Sequence, residues 1–344
     1  MIRIGINGLG RIGRSILRSI DTKIFDVKII NEINPDIKNI AYTANYDTIY
    51  GKNDSPYHTS NNYIFNDYQK IFISHEKKLD QVKWNKFDLD FIIDSSGISS
   101  NVNIAKKIIN KNKKIKSIIF THCPKGTDFQ MVLGANEDKF NLKKHRVISS
   151  SICDATALAP VLKIIHKNYK ILNGFITTAH PWLNYQNLMD GPSSSWSKPG
   201  SIFDHYALGR SSIGNLIPKP TTAVDETLKV LSFKKNFLGS FSYRTPTAIV
   251  GSADITLKVK HSASKNLLIK VFKEFEKNQK FNLINNVNEP LVSLDFVKSD
   301  FSVNIDHRWT QSSDDLIKLV LWYDNEYGYS RRVLDQLIFI NGKK

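Results

Sequence analysis

The first 32 residues constrain the fold most. A short apolar run, Ile2 to Ile6, leads straight into Gly8-Leu9-Gly10-Arg11-Ile12-Gly13, which has G-x-G-x-x-G spacing. Ile12, Ile16, Leu17 and Ile20 follow at helical intervals, and a second apolar run, Val27-Lys28-Ile29-Ile30, ends at Asn31-Glu32. Strand, glycine turn, helix and strand with an acid at its end make the first half of a dinucleotide fold. Gly8 and Gly10 permit the tight turn and the close approach of a pyrophosphate. Arg11 and Ile12, at the helix start, offer it N–H groups. Glu32 accepts hydrogen bonds from ribose hydroxyls and repels a 2′-phosphate, so the expected cofactor is NAD rather than NADP.

The alternation continues. Phe91-Ile92-Ile93-Asp94, Ser117-Ile118-Ile119-Phe120, Met131-Val132-Leu133 and Val147-Ile148 read as strands, and Val102 to Asn112 reads as a helix. The expected class is α/β, with a Rossmann-type doubly wound parallel sheet. After Cys153 the pattern changes. A helix over about 155–169 is followed by longer strands at 171–179, 238–244, 252–259 and 316–323. These imply a second, α+β domain with a mixed or antiparallel sheet. We expect residues 1–152, with the C-terminal segment 325–344 packing back, to form the NAD domain, and residues 153–324 to form the catalytic domain. A polar stretch from about Trp182 to Ser211, including Ser194-Ser195-Trp196-Ser197, reads as a long excursion.

The second chemical signal is Ser150-Ser151-Ile152-Cys153-Asp154-Ala155-Thr156, a strand end, a turn and a helix start. A thiol in a helix's first turn meets unpaired N–H groups and the positive end of the dipole, which favour a nucleophilic thiolate. A small buried structural cysteine is the competing reading. With only two cysteines in 344 residues, a disulfide scaffold is not expected, and a reducing, cytoplasmic setting is. No signal peptide or run of some 20 apolar residues is visible, so no membrane partner is expected. The net charge of +16 comes from lysines scattered along a Lys-, Asn- and Ile-rich chain, as in Lys106-Lys107, so no nucleic-acid partner is expected.

With both signals placed, the chain resembles the phosphorylating glyceraldehyde-3-phosphate dehydrogenase family, which includes erythrose-4-phosphate dehydrogenase. The likeness runs through Asn7 to Arg14, Tyr46-Asp47-Thr48, Val132-Leu133-Gly134-Ala135-Asn136, Leu158-Ala159-Pro160 and Trp322 to Ser330. It implies Cys153 as catalytic cysteine and His180 as catalytic histidine. It also implies Lys77 where the family passes the adenine, Asn325 as the residue orienting the nicotinamide amide, and Arg244 and Thr221 as holders of phosphate. A homotetramer, a small aldehyde substrate and no metal are implied as well. The thiolate would attack the aldehyde, His180 would take the hydroxyl proton, and a thioester would remain.

The chain also departs from the family's pattern. Ile152 precedes the cysteine where a serine is usual. Asp154 follows it, where a hydroxyl normally meets the attacking inorganic phosphate. Thr222, Leu208 and Leu183 replace a glycine, an arginine and a threonine of the phosphate sites, while Arg210 keeps its place. Lys219 offers a substitute cation that the sequence does not place. Three readings stay open: oxidation of glyceraldehyde 3-phosphate, oxidation of another polar or phosphorylated aldehyde with water as acyl acceptor, and a non-catalytic binding or regulatory homologue.

Overall fold

The computed structural model describes residues 1–193, 205–234 and 237–343. Trp196 and Phe203 of the long excursion lie outside the described residues. The chain divides into two compact units: residues 1–131, 136–152 and 330–344, and residues 132–135 with 153–329.

Unit 1 begins with β1 (Ile2–Asn7), α1 (Arg11–Arg18), β2 (Phe25–Asn31) and α2 (Ile37–Asn45). A small hairpin follows, β3 (Tyr46–Asp47) and β4 (Gly51–Lys52). Next come β5 (His58–Ser60), β6 (Tyr63–Phe65), β7 (Lys70–Ser74), β8 (Phe91–Asp94), α3 (Asn101–Lys111), β9 (Ser117–Phe120), β10 (Phe129–Gln130) and β11 (Val147–Ser149). Among the described residues, one nine-stranded sheet runs β10-β11-β9-β8-β1-β2-β7-β6-β5. It is parallel except at the β5-β6-β7 edge. The strands are short and apolar because both faces are covered: Phe91, Ile92 and Ile93 are fully buried. The chain turns left from β1 to β2 and right from β1 to β8, so the C-terminal ends of β1 and β8 form the crevice where such sheets bind ligands.

The glycines of the first turn sit at this crevice. Gly8 adopts φ +90°, and a Cβ there would meet the Ser96 backbone at 2.8 Å. A Cβ on Gly13 would meet the Gly8 carbonyl oxygen at 2.2 Å. Only glycine lets α1 pack this close to the turn that precedes it.

Unit 2 contains α4 (Cys153–Tyr169), β12 (Ile171–Pro181), β13 (Ile217–Lys219), α5 (Ala223–Leu231), β14 (Gly239–Thr245), β15 (Gly251–Val259), α6 (Lys265–Asn278), β16 (Ile284–Val287), β17 (Val303–Asp306), β18 (Gln311–Ser313) and β19 (Leu316–Tyr323). Its mixed sheet runs β13-β14-β12-β15-β19-β17-β16, with β18 on β19. The alternation in β15, where Ala253, Ile255 and Leu257 are buried and Asp254 and Lys258 exposed, fixes which face meets the core. The last helix, α7 (Tyr327–Asn341), belongs to unit 1 from Ser330 onward.

The apolar run Met131-Val132-Leu133, expected as a strand, is irregular and enters a turn at Leu133; the strand is β10, ending one residue earlier. Its apolarity has another use. Val132 and Ala135 join Ala159 of α4 and Val230 of α5 in a buried cluster of unit 2. No described helix is long and apolar enough to cross a membrane.

Gly13→Ala is expected to destabilise the chain by about 1–3 kcal/mol, because the added methyl meets backbone that cannot yield. Urea unfolding should show a lower midpoint, and an unchanged midpoint would refute the close packing described here.

Candidate active site

Three strand ends and one helix start converge in unit 2. Cys153 opens α4, and the turn before it is tight: Ser151 adopts φ +66°. On β12 the side chains of Ile176, Thr178 and His180 point inward in alternation. β14 runs parallel to β12 with Thr178 opposite Ser242 and His180 opposite Arg244. β13 then pairs with β14, placing Lys219 opposite Ser242. Register alone therefore gathers a histidine, an arginine and a lysine near the first turn of α4.

The candidate nucleophile and base meet directly. Cys153 Sγ lies 3.6 Å from His180 Nε2. His180 Nδ1 lies 2.8 Å from the Pro181 carbonyl oxygen. A carbonyl only accepts, so Nδ1 carries the hydrogen and Nε2 is left to take a proton. Burial, then the positive charge of Arg244, lowers the His180 pKa well below its usual value, although Asp154 opposes this. The imidazole therefore rests neutral, as a general base must.

The thiol departs from the expectation of a lowered pKa. Burial first, and the Asp154 carboxylate second, push it well above the ordinary thiol value. The N–H groups of the helix start and Arg244 pull the other way without prevailing. A carboxylate oxygen of Asp154, Cys153 Sγ and a ring nitrogen of His180 all lie within 4.8 Å of one another.

Sequence reasoning missed Tyr323. Its phenol donates to Asp154 Oδ1 at 2.5 Å, and both residues are buried. Burial, then Asp154 and Cys153, raise the phenol's pKa, so it stays protonated and donates. Gly251 faces Tyr323 across the β15–β19 ladder, and a Cβ there would meet the ring at 2.7 Å. The missing side chain makes room for the ring. Tyr185 was also missed: its hydroxyl accepts from an Arg244 Nη2 hydrogen at 3.2 Å.

Arg244 is itself buried, and its Nε has no hydrogen-bond partner among the described residues. A buried cation with an unused donor is suited to an anion. Lys219 lies within electrostatic reach. Burial and the charge of Arg244 lower its pKa to about 8, against the pull of Asp154. Thr221 is partly committed, its Oγ1 accepting the Ala223 N–H at the start of α5. Arg210 is exposed and ion-paired with Asp190 at 2.8 Å. Leu208 is buried, and Thr222 is exposed at the helix cap without a capping bond.

In unit 1, Glu32 is held by two backbone donors, Leu9 N–H to Oε2 at 2.6 Å and Asn34 N–H to Oε1 at 3.1 Å. A Cβ on Gly10 would meet nothing within 4 Å, so open space lies before α1, whose first turn carries no acid and no side-chain cap. Arg11 forms an ion pair with Asp47 at 2.6 Å. Open glycine backbone, an uncapped helix start and a fixed carboxylate fit a dinucleotide. Ile12 lies in the first turn of α1, and Lys77 is exposed. Asn325, which belongs to unit 2, accepts the Val250 N–H at 3.1 Å.

Family models agree with this division of labour. Residues 2–102 match the glyceraldehyde 3-phosphate dehydrogenase NAD binding domain, and residues 151–325 match the C-terminal domain of the same enzyme. The chain is similar to glyceraldehyde-3-phosphate dehydrogenase 1 of Kluyveromyces marxianus, 34% identical over 338 residues that cover 97% of this chain and 98% of the relative. It is 32% identical to glyceraldehyde-3-phosphate dehydrogenase 1 of Kluyveromyces lactis over 337 residues, with coverage of 97% and 98%. It is 28% identical to glyceraldehyde-3-phosphate dehydrogenase of Geobacillus stearothermophilus over 344 residues, 99% of each chain. A Rossmann-type cofactor unit joined to such a catalytic unit makes this an NAD-dependent oxidoreductase acting on an aldehyde. More narrowly, the chain belongs to the glyceraldehyde-3-phosphate dehydrogenase family.

The sign of the Asp154 effect gives a test. Cys153 alkylation by iodoacetamide should rise with pH to above the ordinary thiol range. Asp154→Asn removes a negative charge beside the sulfur, favours the thiolate and should move the inflection to lower pH. An inflection that stays put or rises would contradict the electrostatics.

Proposed function

We propose that the protein oxidises an aldehyde bearing an anionic group, glyceraldehyde 3-phosphate by default, through a thioester on Cys153. The 3.6 Å approach of Cys153 Sγ to His180 Nε2 carries this reading. His180 takes the thiol proton as the sulfur attacks the carbonyl carbon, and returns it to the alkoxide to give a thiohemiacetal. It then draws that hydroxyl proton off again as the carbon is oxidised. NAD, when bound, would accept the hydrogen that leaves the carbon together with its bonding electron pair. The acyl group remains on Cys153.

Arg244, with its unused Nε donor, and Thr221 bind the substrate's anionic group. Gly8, Gly10, Arg11, Ile12, Glu32, Lys77 and Asn325 hold the cofactor. Residues 1–152 with 325–344 act as the cofactor domain, and 153–324 as the catalytic domain. The protein works as a homotetramer in the cytoplasm, a setting in keeping with only two cysteines in 344 residues.

Cys153→Ala should abolish aldehyde-dependent NADH formation while leaving NAD binding within a few-fold of the parent. His180→Ala should slow the same reaction by about 10²–10⁴, the usual range for losing a general base. Stopped-flow absorbance with an aldehyde panel reads both, and a Cys153→Ala protein that keeps most of its activity would refute the mechanism. Glu32 also implies tighter binding of NAD than of NADP. Glu32→Ala should narrow that preference, and equal titration of both cofactors by the parent would count against the assignment.

A further inference from the structure

We propose that water, not inorganic phosphate, releases the acyl group, and that Asp154 is the general base for that water. The inference rests on the Cys153 thioester proposed above and concerns only its fate.

Three observations point the same way. First, a carboxylate oxygen of Asp154 lies within 4.8 Å of Cys153 Sγ and of a His180 ring nitrogen. Thioester carbon, histidine and carboxylate therefore share one small space, in which reacting atoms come within about 3–3.5 Å. Second, the carboxylate is fixed. Tyr323 donates to Oδ1, which leaves Oδ2 to orient a water and receive its proton. Gly251 keeps the place that the Tyr323 ring fills. Third, the charges oppose a second anion. Arg244 and Lys219 supply two positive charges near neutral pH, and Asp154 removes one. A phosphorylated substrate already turns the cluster net negative. Inorganic phosphate would bring two further negative charges to the side of the thioester where Asp154 stands, whereas water brings none.

The step balances without an oxidant. The water oxygen bonds to the thioester carbon as one of its protons passes to Asp154. The tetrahedral adduct collapses with cleavage of the carbon–sulfur bond. His180, which holds the proton taken during oxidation, returns it to the sulfur. The carboxylic acid carries away the second water proton, and it and Asp154 each lose a proton to solvent.

The test uses the full-length protein with NAD and glyceraldehyde 3-phosphate in ¹⁸O-water, with and without inorganic phosphate. The expected product is the carboxylic acid with one ¹⁸O per turnover, and NADH formation that phosphate does not stimulate. Asp154→Asn should retain a burst of one NADH per active site, no slower than the parent's. Its steady-state rate should fall about 10²-fold or more. A purely structural role would slow the burst and the steady state together. A saturable stimulation by phosphate with an acyl phosphate product, or an Asn variant with an unchanged steady state, would overturn the inference while leaving the thioester reading intact. A parent protein that makes no NADH from any aldehyde would overturn that reading, and this inference with it. The isotope measurement needs no variant, so the outcome does not depend on the folding of Asp154→Asn.

Discussion

The parallel pairing of β12 with β14 sets His180 and Arg244 side by side, and the rest of the site in unit 2 is arranged around them. Because side chains alternate along a strand, one register puts His180 and Arg244 side by side on the inner face, and a slip of β14 by one residue would turn Arg244 outward. The partner bond between the Thr178 and Ser242 hydroxyls, 2.8 Å and buried, sits two residues below and pins that register. β13 joins β14 in the opposite direction, so Lys219 comes to the same cluster from a segment far from β12 in sequence. His180, Arg244 and Lys219 are thus carried by ladder geometry rather than by loops, which suits a site needing fixed distances.

The electrostatics of the nucleophile follow from magnitudes. A helix start favours a thiolate by about 0.3–1 kcal/mol, up to some 2 in partly buried settings. A carboxylate within 4.8 Å opposes it by roughly 3–4 kcal/mol at an effective dielectric of 20. Burial of the charged form adds to the opposition. The helix start is one small contribution among larger ones, so the thiol pKa rises instead of falling.

Much of the site was legible because its signals are local. The G-x-G-x-x-G turn, Glu32 at the end of β2 and Cys153 at the head of α4 each lie within a few residues of the structure that gives them meaning. His180 was legible through resemblance alone, since nothing in Thr177-Thr178-Ala179-His180 announces a base. Tyr323 was invisible for a plain reason. It lies 169 residues from Asp154, and their meeting needs both the β15–β19 register and the absence of a side chain at Gly251. Lys219 could be suspected but not placed, because three residues of β13 carry no pattern of their own. The Met131-Val132-Leu133 run misled because apolarity marks burial, and Val132 is buried against α4 and α5 rather than in a sheet.

The raised thiol pKa reaches beyond the first step. A more basic sulfur is scarcer as thiolate but more nucleophilic once formed, so attack loses less than the protonation balance suggests. Departure is affected in the opposite sense, because a high-pKa thiol is a poor leaving group. A thioester on such a sulfur resists release unless the nucleophile is activated and the sulfur is protonated as it leaves. The arrangement around Cys153 holds both kinds of group, a carboxylate oxygen and, within 4.8 Å of it, an imidazole whose Nδ1–H is fixed by the Pro181 carbonyl. On the proposed thioester, Asp154 would both hinder release of the acyl group and be able to relieve that hindrance. That coupling makes its charge, more than its size or helix position, the property on which this divergent site turns.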